Sequence, residues 1–546
     1  MVSAVLQAVI SNEVFIIMNI TNDIKIIGGG TAGWMAAATL ISQFPNKEVT
    51  LIESPNISTV GVGESTIGQI NDWLALLGIQ DADFMPHCDA SYKLSIGFEN
   101  FYRKDSGKFQ YPFGRPYTEN NKSELNDWYF KKFLYPDTPV SDYAECLFPQ
   151  MALVTQNKIH KNLDGRLPGF NFHQDVAYHF DATKFSLWLR DYYCLPRGVN
   201  HVLAEVKDVK LNDDVGVEYV TLDDGSKVTA DLFLDCTGFK ALLIDKVLKE
   251  PFESFEDVLP NNSAWATAIP YRDKEKELVG YTNCTAIDNG WVWNIPLWSR
   301  IGSGYVYSDK YVSDNDALLE FQKHIGHGEE LDYRNIKMRT GTHRRTWVKN
   351  VCAIGLSSGF IEPLESGGLY TMHEFLLRLV RTLQRDHVSQ WDRDVYNSAT
   401  KTLLTEFKEF VAMHFALSHR DDTEYWRDVM NKQYSDNLVN MHPSFVNGYV
   451  SAVFGKMRDY RFNSDGGLHC IATGMNWFPT DFPTMQSLNY NSREKCQLPL
   501  GNDVASWEMY WKSAIDNLNN RKQHWRDSVK DAPLLLDMLK DIHKGE

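Results

Sequence analysis

The feature that most constrains the fold is a glycine-rich turn between a strand and a helix near the start of the chain. The sequence Asp23-Ile-Lys-Ile-Ile-Gly28-Gly-Gly30-Thr-Ala-Gly33 places a short apolar strand directly before the pattern G-x-G-x-x-G and an alanine-rich helix, residues 35–40. Gly28 makes the tight turn, Gly30 lets backbone N–H groups approach a pyrophosphate, and Gly33 lets helix and strand pack closely. A second strand, residues 48–53, ends at Glu53, whose carboxylate can bind ribose hydroxyls. The pattern predicts an α/β dinucleotide-binding fold.

Three later segments contain further glycine turns. Residues 60–66, with Gly63, lead into a predicted helix over residues 67–77 that Gly78 ends. Residues 231–239 are a strand followed by a glycine turn, with Asp235 and Gly238 at its end. Residues 350–369 contain a strand, a turn at Gly355 and a proline-containing loop before a long helix, residues 370–383. Each turn either faces a cofactor or is ordinary α/β architecture.

The start of the helix in the last segment is a candidate anion site. Ser366, Gly367 and Gly368 precede its first apolar turn, where unpaired backbone N–H groups can bind an anion. Glu365 lies just before them, and its position alone predicts an acidic residue that caps the helix N-terminus.

Two further strands carry candidate residues. Residues 90–98 alternate apolar and polar side chains, which predicts a strand with one polar face and, taken alone, a solvated Lys93. Trp291 and Trp293 lie on one face of a strand that Pro296 ends, either as a core pair or as an indole wall beside a ligand. Gly302-x-Gly304 lacks a third glycine, so one complete dinucleotide loop is present and NAD(P)H has no loop of its own.

Composition limits the class of protein. A chain of 546 residues predicts more than one domain, and its net charge of −16 without a basic block argues against nucleic acid or membrane as partners. The eight cysteines form no C-x-x-C pair and no zinc-like spacing, so we expect reduced thiols, a cytoplasmic protein and no metal site. Residues 1–17 are apolar without a basic start and are interpreted as an N-terminal extension or an over-long start.

The predicted domains follow from these segments. Residues 18–384 are expected to form a Rossmann-type FAD-binding core with an inserted sheet, and residues 385–546 a mainly helical lobe that covers the substrate. The fold class is therefore α/β with an added helical C-terminal lobe.

The motifs together resemble the flavin-dependent halogenases of the tryptophan-halogenase-like group. The resemblance runs from Ile24 to about Trp426 and rests on the first glycine loop, on Ala90-Ser-Tyr-Lys93, on Trp291-x-Trp293-x-Ile295-Pro296 and on Phe360-x-x-Pro363-x-x-Ser366-x-Gly368. It implies a flavin monooxygenase-like FAD module. It also implies that Lys93 and Glu365 are catalytic residues and not a solvated lysine and a helix-capping acid.

The resemblance also implies a chemistry. Reduced FAD (FADH₂) and O₂ convert a halide into hypohalous acid, which reaches Lys93 and halogenates an electron-rich indole or phenol. Glu365 then orients Lys93 and accepts the proton that leaves the ring. A separate NAD(P)H-dependent flavin reductase would supply the FADH₂, and the substrate would be a small aromatic molecule. Whether the protein is a monomer or a homo-oligomer stays open.

The resemblance assigns residues to three groups. The halide would be held by Ser366, Gly367 and Gly368. The flavin-side wall, which keeps substrate from the flavin, would comprise Trp291, Trp293, Pro296, Phe360 and Pro363. The residues lining FAD would be Gly28, Gly30, Thr31, Ala32, Gly33, Glu53, Gly63, Val206, Asp235, Gly238, Gly355, Leu356 and Leu369.

The sequence departs from the family at two points. Free-tryptophan enzymes carry a Tyr-Tyr pair in the C-terminal lobe, but the pair here is Tyr192-Tyr193, so free tryptophan is disfavoured as substrate. Gly367 stands where the family usually has threonine, which predicts a roomier halide site and a preference for bromide or iodide over chloride. A flavin-dependent aromatic hydroxylase and a non-catalytic flavin-binding redox sensor remain as alternatives.

Overall fold

The computed structural model describes residues 23–56, 63–117, 125–385, 387–434, 467–477 and 504–544. Its strands, numbered β1 to β22 in chain order, are Asp23–Ile27, Glu48–Glu53, Gly63–Ser65, Ser91–Lys93, Ser95–Glu99, Lys108–Pro112, Ala177–Asp181, Asn200–Leu203, Val206–Asn212, Gly216–Leu222, Lys227–Val228, Leu232–Asp235, Phe252–Ser254, Ser263–Ile269, Tyr281–Ile287, Gly290–Pro296, Ile301–Tyr307, Arg334–Lys337, Gly341–His343, Trp347–Val348, Val351–Ala353 and Gly359–Phe360. Its α-helices, numbered α1 to α16, are Thr31–Gln43, Ile70–Leu77, Asp81–Phe84, Leu125–Leu134, Asp142–Leu147, Met151–Gln156, Phe172–Asp175, Ala182–Trp188, Lys274–Glu277, Asp314–Ile325, Gly367–Leu383, Gln390–Ala416, Glu424–Met430, Gly467–Gly474, Val504–Ser528 and Leu535–Ile542.

A six-stranded sheet in the order β20-β21-β12-β1-β2-β8 confirms the predicted Rossmann-type core. Strands β21, β12, β1, β2 and β8 run parallel, and Ile27 is in register with both Ile52 and Asp235. The carboxyl ends of these strands therefore bring Gly28, Glu53 and the turn after Asp235 to one edge, where ligands bind in open α/β sheets. Ala36, Ala37 and Ala38 of α1 are fully buried because small side chains let the helix approach the sheet.

The second large sheet, in the order β18-β14-β17-β16-β15-β5-β6, carries the tryptophan motif on β16. Its strands are antiparallel except where β15 runs parallel to β5. Because β5 begins two residues after Lys93, this sheet holds the lysine segment next to the tryptophan strand.

The single strand predicted over residues 90–98 is instead two strands in different sheets. Strand β4 pairs with β7, and after Leu94 the chain continues as β5 beside β15. Its polar face is not solvated, since Ser91, Lys93 and Ser95 are each 0% exposed. Sheets on both sides of the segment exclude water from it, which alternation in the sequence does not reveal.

The predicted helices are present with shifted starts. Helix α2 begins at Ile70 and ends, as expected, at Gly78 in the left-handed conformation. Helix α11 begins at Gly367, so the glycines expected to precede it form its first turn.

All described elements after residue 384 are helices. Helix α15 packs against α4, α5 and α6, where Asp142 accepts hydrogen bonds from Lys131 at 2.6 Å and from Lys522 at 2.5 Å.

The domain boundary at 384 stays a prediction, and residues 1–17 lie outside the described residues. In the described part of the chain, no helix combines the length and the apolar character that a membrane crossing needs. The seven described cysteines are buried and free.

Candidate active site

A cleft of about 520 Å³ opens along the carboxyl edge of the parallel sheet and reaches β16 and the start of α11. Fourteen of the residues assigned from the sequence line it. They are Gly28, Gly30, Thr31, Ala32, Glu53, Gly63, Val206, Gly238, Leu356, Trp293, Phe360, Pro363, Ser366 and Gly368. The cleft therefore joins the dinucleotide loop to the candidate anion site.

The dinucleotide loop fits a pyrophosphate. Gly30 precedes the first residue of α1, and a methyl group added there would meet no atom within 4 Å, so its backbone faces open space. Gly28 has φ +113° and lies against Cys236, where an added Cβ would sit 2.3 Å from the carbonyl oxygen. Glu53 lines the cleft with its carboxylate 2.9 Å from Nε2 of His201. An anion at the helix N-terminus and a ribose at Glu53 match an adenine dinucleotide such as FAD.

Four residues assigned to FAD lining have other places. Gly33 packs α1 on the sheet, since an added Cβ would lie 1.9 Å from the Gly28 carbonyl oxygen. The buried Asp235 carboxylate accepts from the backbone N–H groups of Thr237, Leu243 and Ile244, and so shapes the turn that carries Gly238.

The other two of these residues lie behind the cleft. An added Cβ at Gly355 would lie 2.8 Å from the Ala32 side chain, and Leu369 is buried in the core. These four residues support the cleft rather than line it, because spacing alone does not tell a contact with a ligand from a contact with its support.

Of the two tryptophans expected in the flavin-side wall, Trp293 lines the cleft and Trp291 lies behind it. The Trp291 indole is fully buried, 6.1 Å from Trp293 between ring centroids, and its Nε1–H donates to Oε2 of Glu362 at 2.8 Å. Asn261 donates to the same oxygen at 2.7 Å, and burial raises the pKa of Glu362 to about 7. This contact joins the tryptophan motif to the Phe360–Gly368 motif. Pro296 ends β16 as predicted, and its backbone carbonyl accepts from Ser91.

Lys93 is buried beneath the end of the cleft. Its ammonium donates to the Thr66 carbonyl and to Oγ of Ser366, each at 2.8 Å, and lies 4.9 Å from the centre of the Phe113 ring. Burial lowers the pKa of Lys93 to about 7, although the negative charge of Glu365 acts in the opposite direction. Burial therefore favours the neutral amine more than in an exposed lysine.

Ser366 separates the cleft from Lys93. It has φ 58° and ψ 36°, a left-handed conformation that costs a residue with a Cβ about 1 kcal/mol or more. Its hydroxyl caps no helix N–H group but accepts from Lys93 and donates to Ser65 at 3.1 Å. One side chain thus contacts both the cleft and the lysine.

Glu365 is buried against a histidine of the C-terminal helices. Nε2 of His414 lies 2.9 Å from Oε1 of Glu365, and Nδ1 of His414 lies 3.1 Å from the Val411 carbonyl. A carbonyl only accepts, so Nδ1 carries the hydrogen of this contact, and Nε2 faces the carboxylate of Glu365. Burial raises the pKa of Glu365, and the contacts with His414 and Lys93 act against that rise.

The space expected beside Gly367 is filled. A Cβ at Gly367 would lie 2.1 Å from Cε1 of Phe407, so the ring of α12 lies where a threonine side chain would stand. The premise of a roomier halide site is wrong, and the bromide or iodide preference loses its physical ground.

Comparison with known proteins identifies the family. A family model described as Tryptophan halogenase matches residues 23–488. The chain belongs to the tryptophan halogenase family. This halogenase is 36% identical over 437 residues to 7-chloro-L-tryptophan 6-halogenase KtzR of Kutzneria sp. (strain 744), with 76% of this chain and 83% of the relative covered.

Two solved structures are similar over nearly the whole chain. The VirX1 apo structure has a TM-score of 0.86 and 34% identity, and the match covers 96% of this chain and 99% of VirX1. Tar14, a tryptophan C-6 flavin-dependent halogenase (chlorinase) from taromycin biosynthesis, has a TM-score of 0.80 and 29% identity, and the match covers 96% of this chain and 100% of Tar14. The predicted family, fold and enzyme class are confirmed.

Several residues at the site of this halogenase are not marked by any motif in its sequence. Glu64 and Ser65 line the cleft, and burial raises the pKa of Glu64 to about 7. They follow Gly63 in a loop recognised only for its glycines. His414 and Thr282 are distant in sequence from any motif, so no local signal marks them.

Proposed function

We propose that this halogenase uses reduced FAD, O₂ and a halide to halogenate the indole ring of tryptophan or of a similar arene. The observation that carries the proposal is the position of Ser366, which lines the cleft and accepts a hydrogen bond from the buried Lys93. An oxidant formed in the cleft thus has Lys93 one side chain away, and Trp293 lines the same cleft. A flavin hydroxylase has no need of this buried amine.

The cofactor would be held by the dinucleotide loop, Glu53 and the turn at Gly238. When bound, reduced FAD supplies with O₂ the oxidising equivalents that convert the halide into hypohalous acid. The backbone at the start of α11, at Gly368, offers the halide N–H groups beside the cleft.

Lys93 and Glu365 have separate roles. The Lys93 amine either directs hypohalous acid by a hydrogen bond or carries the halogen, and its lowered pKa supports both. Glu365 accepts the proton released when the halogenated ring regains aromaticity, and His414 stabilises the carboxylate in its buried place. A separate flavin reductase supplies the electrons, because the chain has one complete dinucleotide loop.

The comparisons support tryptophan and chloride as the first pair to test. The relative KtzR is a 7-chloro-L-tryptophan 6-halogenase, and Tar14 is a tryptophan C-6 halogenase (chlorinase). We give this support more weight than the missing Tyr-Tyr pair of the C-terminal lobe.

The test is the mass of the product. The protein is incubated with tryptophan, chloride, FAD, NADH and a flavin reductase, and Lys93→Ala and Glu365→Gln are run beside it. We expect a product that has gained chlorine in place of hydrogen, no such product from Lys93→Ala, and a rate lowered on the order of 100-fold in Glu365→Gln. Lys93→Ala should still oxidise reduced flavin.

Other outcomes decide between the alternatives. A product that gains oxygen indicates a hydroxylase, and tight FAD without any product indicates a redox sensor. NADH oxidation by the protein and FAD without the reductase would contradict the separate electron donor.

A further inference from the structure

A chain of buried hydrogen bonds leads away from Lys93 through Ser366. Lys93 Nζ contacts Ser366 Oγ at 2.8 Å, which contacts Ser65 Oγ at 3.1 Å, which contacts Thr282 Oγ1 at 2.7 Å. Thr282 Oγ1 then contacts His179 Nε2 at 2.9 Å. The side chains between Lys93 and His179 are therefore all hydroxyls, the groups that relay protons.

The far end of the chain fixes its direction. The Pro296 carbonyl can only accept, so Ser91 donates to it at 2.5 Å and must accept, at 3.3 Å, from Nδ1–H of His179. With Nδ1 protonated, Nε2 of the neutral ring accepts from Thr282. Thr282 then accepts from Ser65, Ser65 from Ser366 and Ser366 from the Lys93 ammonium. Every donor points from Lys93 towards His179.

The surroundings of His179 keep the ring neutral while Lys93 is charged. The ring is 0% exposed, and burial and the positive charge of Lys93 lower the pKa of His179 well below its ordinary value. Strand β4 presents Ser91 and Lys93 to it, β15 presents Thr282, and β16 presents the Pro296 carbonyl.

Three more ionisable groups lie near this histidine. Asp181, two residues along β7, is held by Arg300 at 2.7 Å. Glu64 on β3 is in register with Phe180, the next residue of β7. Once Lys93 loses its proton, its charge no longer opposes a proton on His179, while burial still lowers the pKa of His179, so the ring readily gives the proton back.

We propose that His179 takes the proton of the Lys93 ammonium through Ser366, Ser65 and Thr282, and so produces the free amine that reacts with hypohalous acid. His179 does not contact Lys93 directly but acts on its proton through the three hydroxyls, so we call it a positioning residue and not a catalytic residue. The proposal rests on the proposed halogenation, which supplies hypohalous acid.

The bonds and protons balance in each step of the halogen transfer. The neutral Lys93 nitrogen attacks the halogen of hypohalous acid, so a nitrogen–halogen bond forms, the halogen–oxygen bond breaks, and the departing hydroxide takes an N–H proton and leaves as water. The arene then attacks the halogen and the nitrogen keeps the bonding electrons. His179 returns its proton to that nitrogen along the relay, and Glu365 takes the ring proton.

The test interrupts the relay at one link and leaves its two ends in place. Thr282→Val removes the hydroxyl at nearly constant volume, and Thr285→Val removes a buried hydroxyl from the same strand outside the relay as the matched control. Flavin-free protein is treated with substoichiometric hypochlorous acid, and the N-chloramine on Lys93 is quantified by peptide mass spectrometry. Ser65→Ala, which cuts the relay one link earlier, replaces Thr282→Val should the latter not fold.

We expect Thr282→Val to lower Lys93 chloramine at least fivefold at pH 6.5 and to recover at pH 9, where Lys93 is neutral without a relay. Thr285→Val should stay within twofold of the wild type. Wild-type labelling in Thr282→Val at pH 6.5, or an equal loss at both pH values, overturns the relay.

The holoenzyme gives a second, independent measurement. The pH at which Thr282→Val reaches half of its maximal halogenation per flavin oxidised should shift upward by about one unit, and a mere loss of packing would not move it. If the wild type forms no halogenated product, the proposed function fails while the chloramine assay still decides on the relay.

Discussion

Replacing Lys93 by methionine should reveal how much stability the buried amine costs. Methionine has a similar length and carries no charge, so Lys93→Met keeps most of the packing and removes the ionisable group. Lys93 lies at 0% exposure with its pKa lowered from 10.5 to about 7 by burial. Between these two values the unfolded chain binds more protons than the native protein, so wild-type stability rises with pH across that range.

The size of the effect follows from that shift. Each pKa unit is worth about 1.4 kcal/mol, so the ammonium destabilises the fold by about 5 kcal/mol at pH 6, where it is charged in both states. At pH 9 the native amine is neutral while the unfolded one is charged, and about 2 kcal/mol of this cost remains. The hydrogen bonds that methionine loses to Thr66 and Ser366 affect both pH values. The stability of Lys93→Met relative to the wild type should therefore be about 3 kcal/mol more favourable at pH 6 than at pH 9.

The assay is guanidinium unfolding of flavin-free protein at the two pH values, read from the shift in the first transition. Lys323→Met, at an exposed lysine of α10, is the control and should show no such pH dependence. An equal difference between Lys93→Met and the wild type at pH 6 and pH 9 would refute the lowered pKa.

Four glycines give further predictions. Gly367→Ala places a Cβ 2.1 Å from the Phe407 ring and should lower the free energy of unfolding by about 2 kcal/mol, with at least half regained in the double variant with Phe407→Leu; calorimetry measures both. Gly33→Ala places a Cβ 1.9 Å from the Gly28 carbonyl oxygen and should lower the thermal stability of the flavin-free protein. Gly30→Ala, with no atom within 4 Å, should leave that stability unchanged and weaken FAD binding in a fluorescence titration. Gly304→Ala would meet Cη2 of Trp293 at 2.2 Å, push the indole into the cleft and weaken FAD binding at least tenfold; unchanged affinity would contradict the position of the indole.

The sequence by itself determined the parallel core and its ligand edge. The apolar strand, the turn at Gly28 and the helix after it are neighbours in the chain, and their backbone demands are met by the residues that stand there. The same holds for Glu53, which ends a strand, and for Gly78, which ends a helix in the left-handed conformation.

Only the tertiary structure decided what surrounds each reactive group. Lys93 is polar in an alternating strand, and its burial depends on two sheets that meet there. The Phe407 ring next to Gly367 and the His414 ring next to Glu365 come from a helix that begins at Gln390. Contacts between distant segments depend on how helices and sheets pack, and a local pattern does not record this because burial and charge are properties of the assembled surroundings.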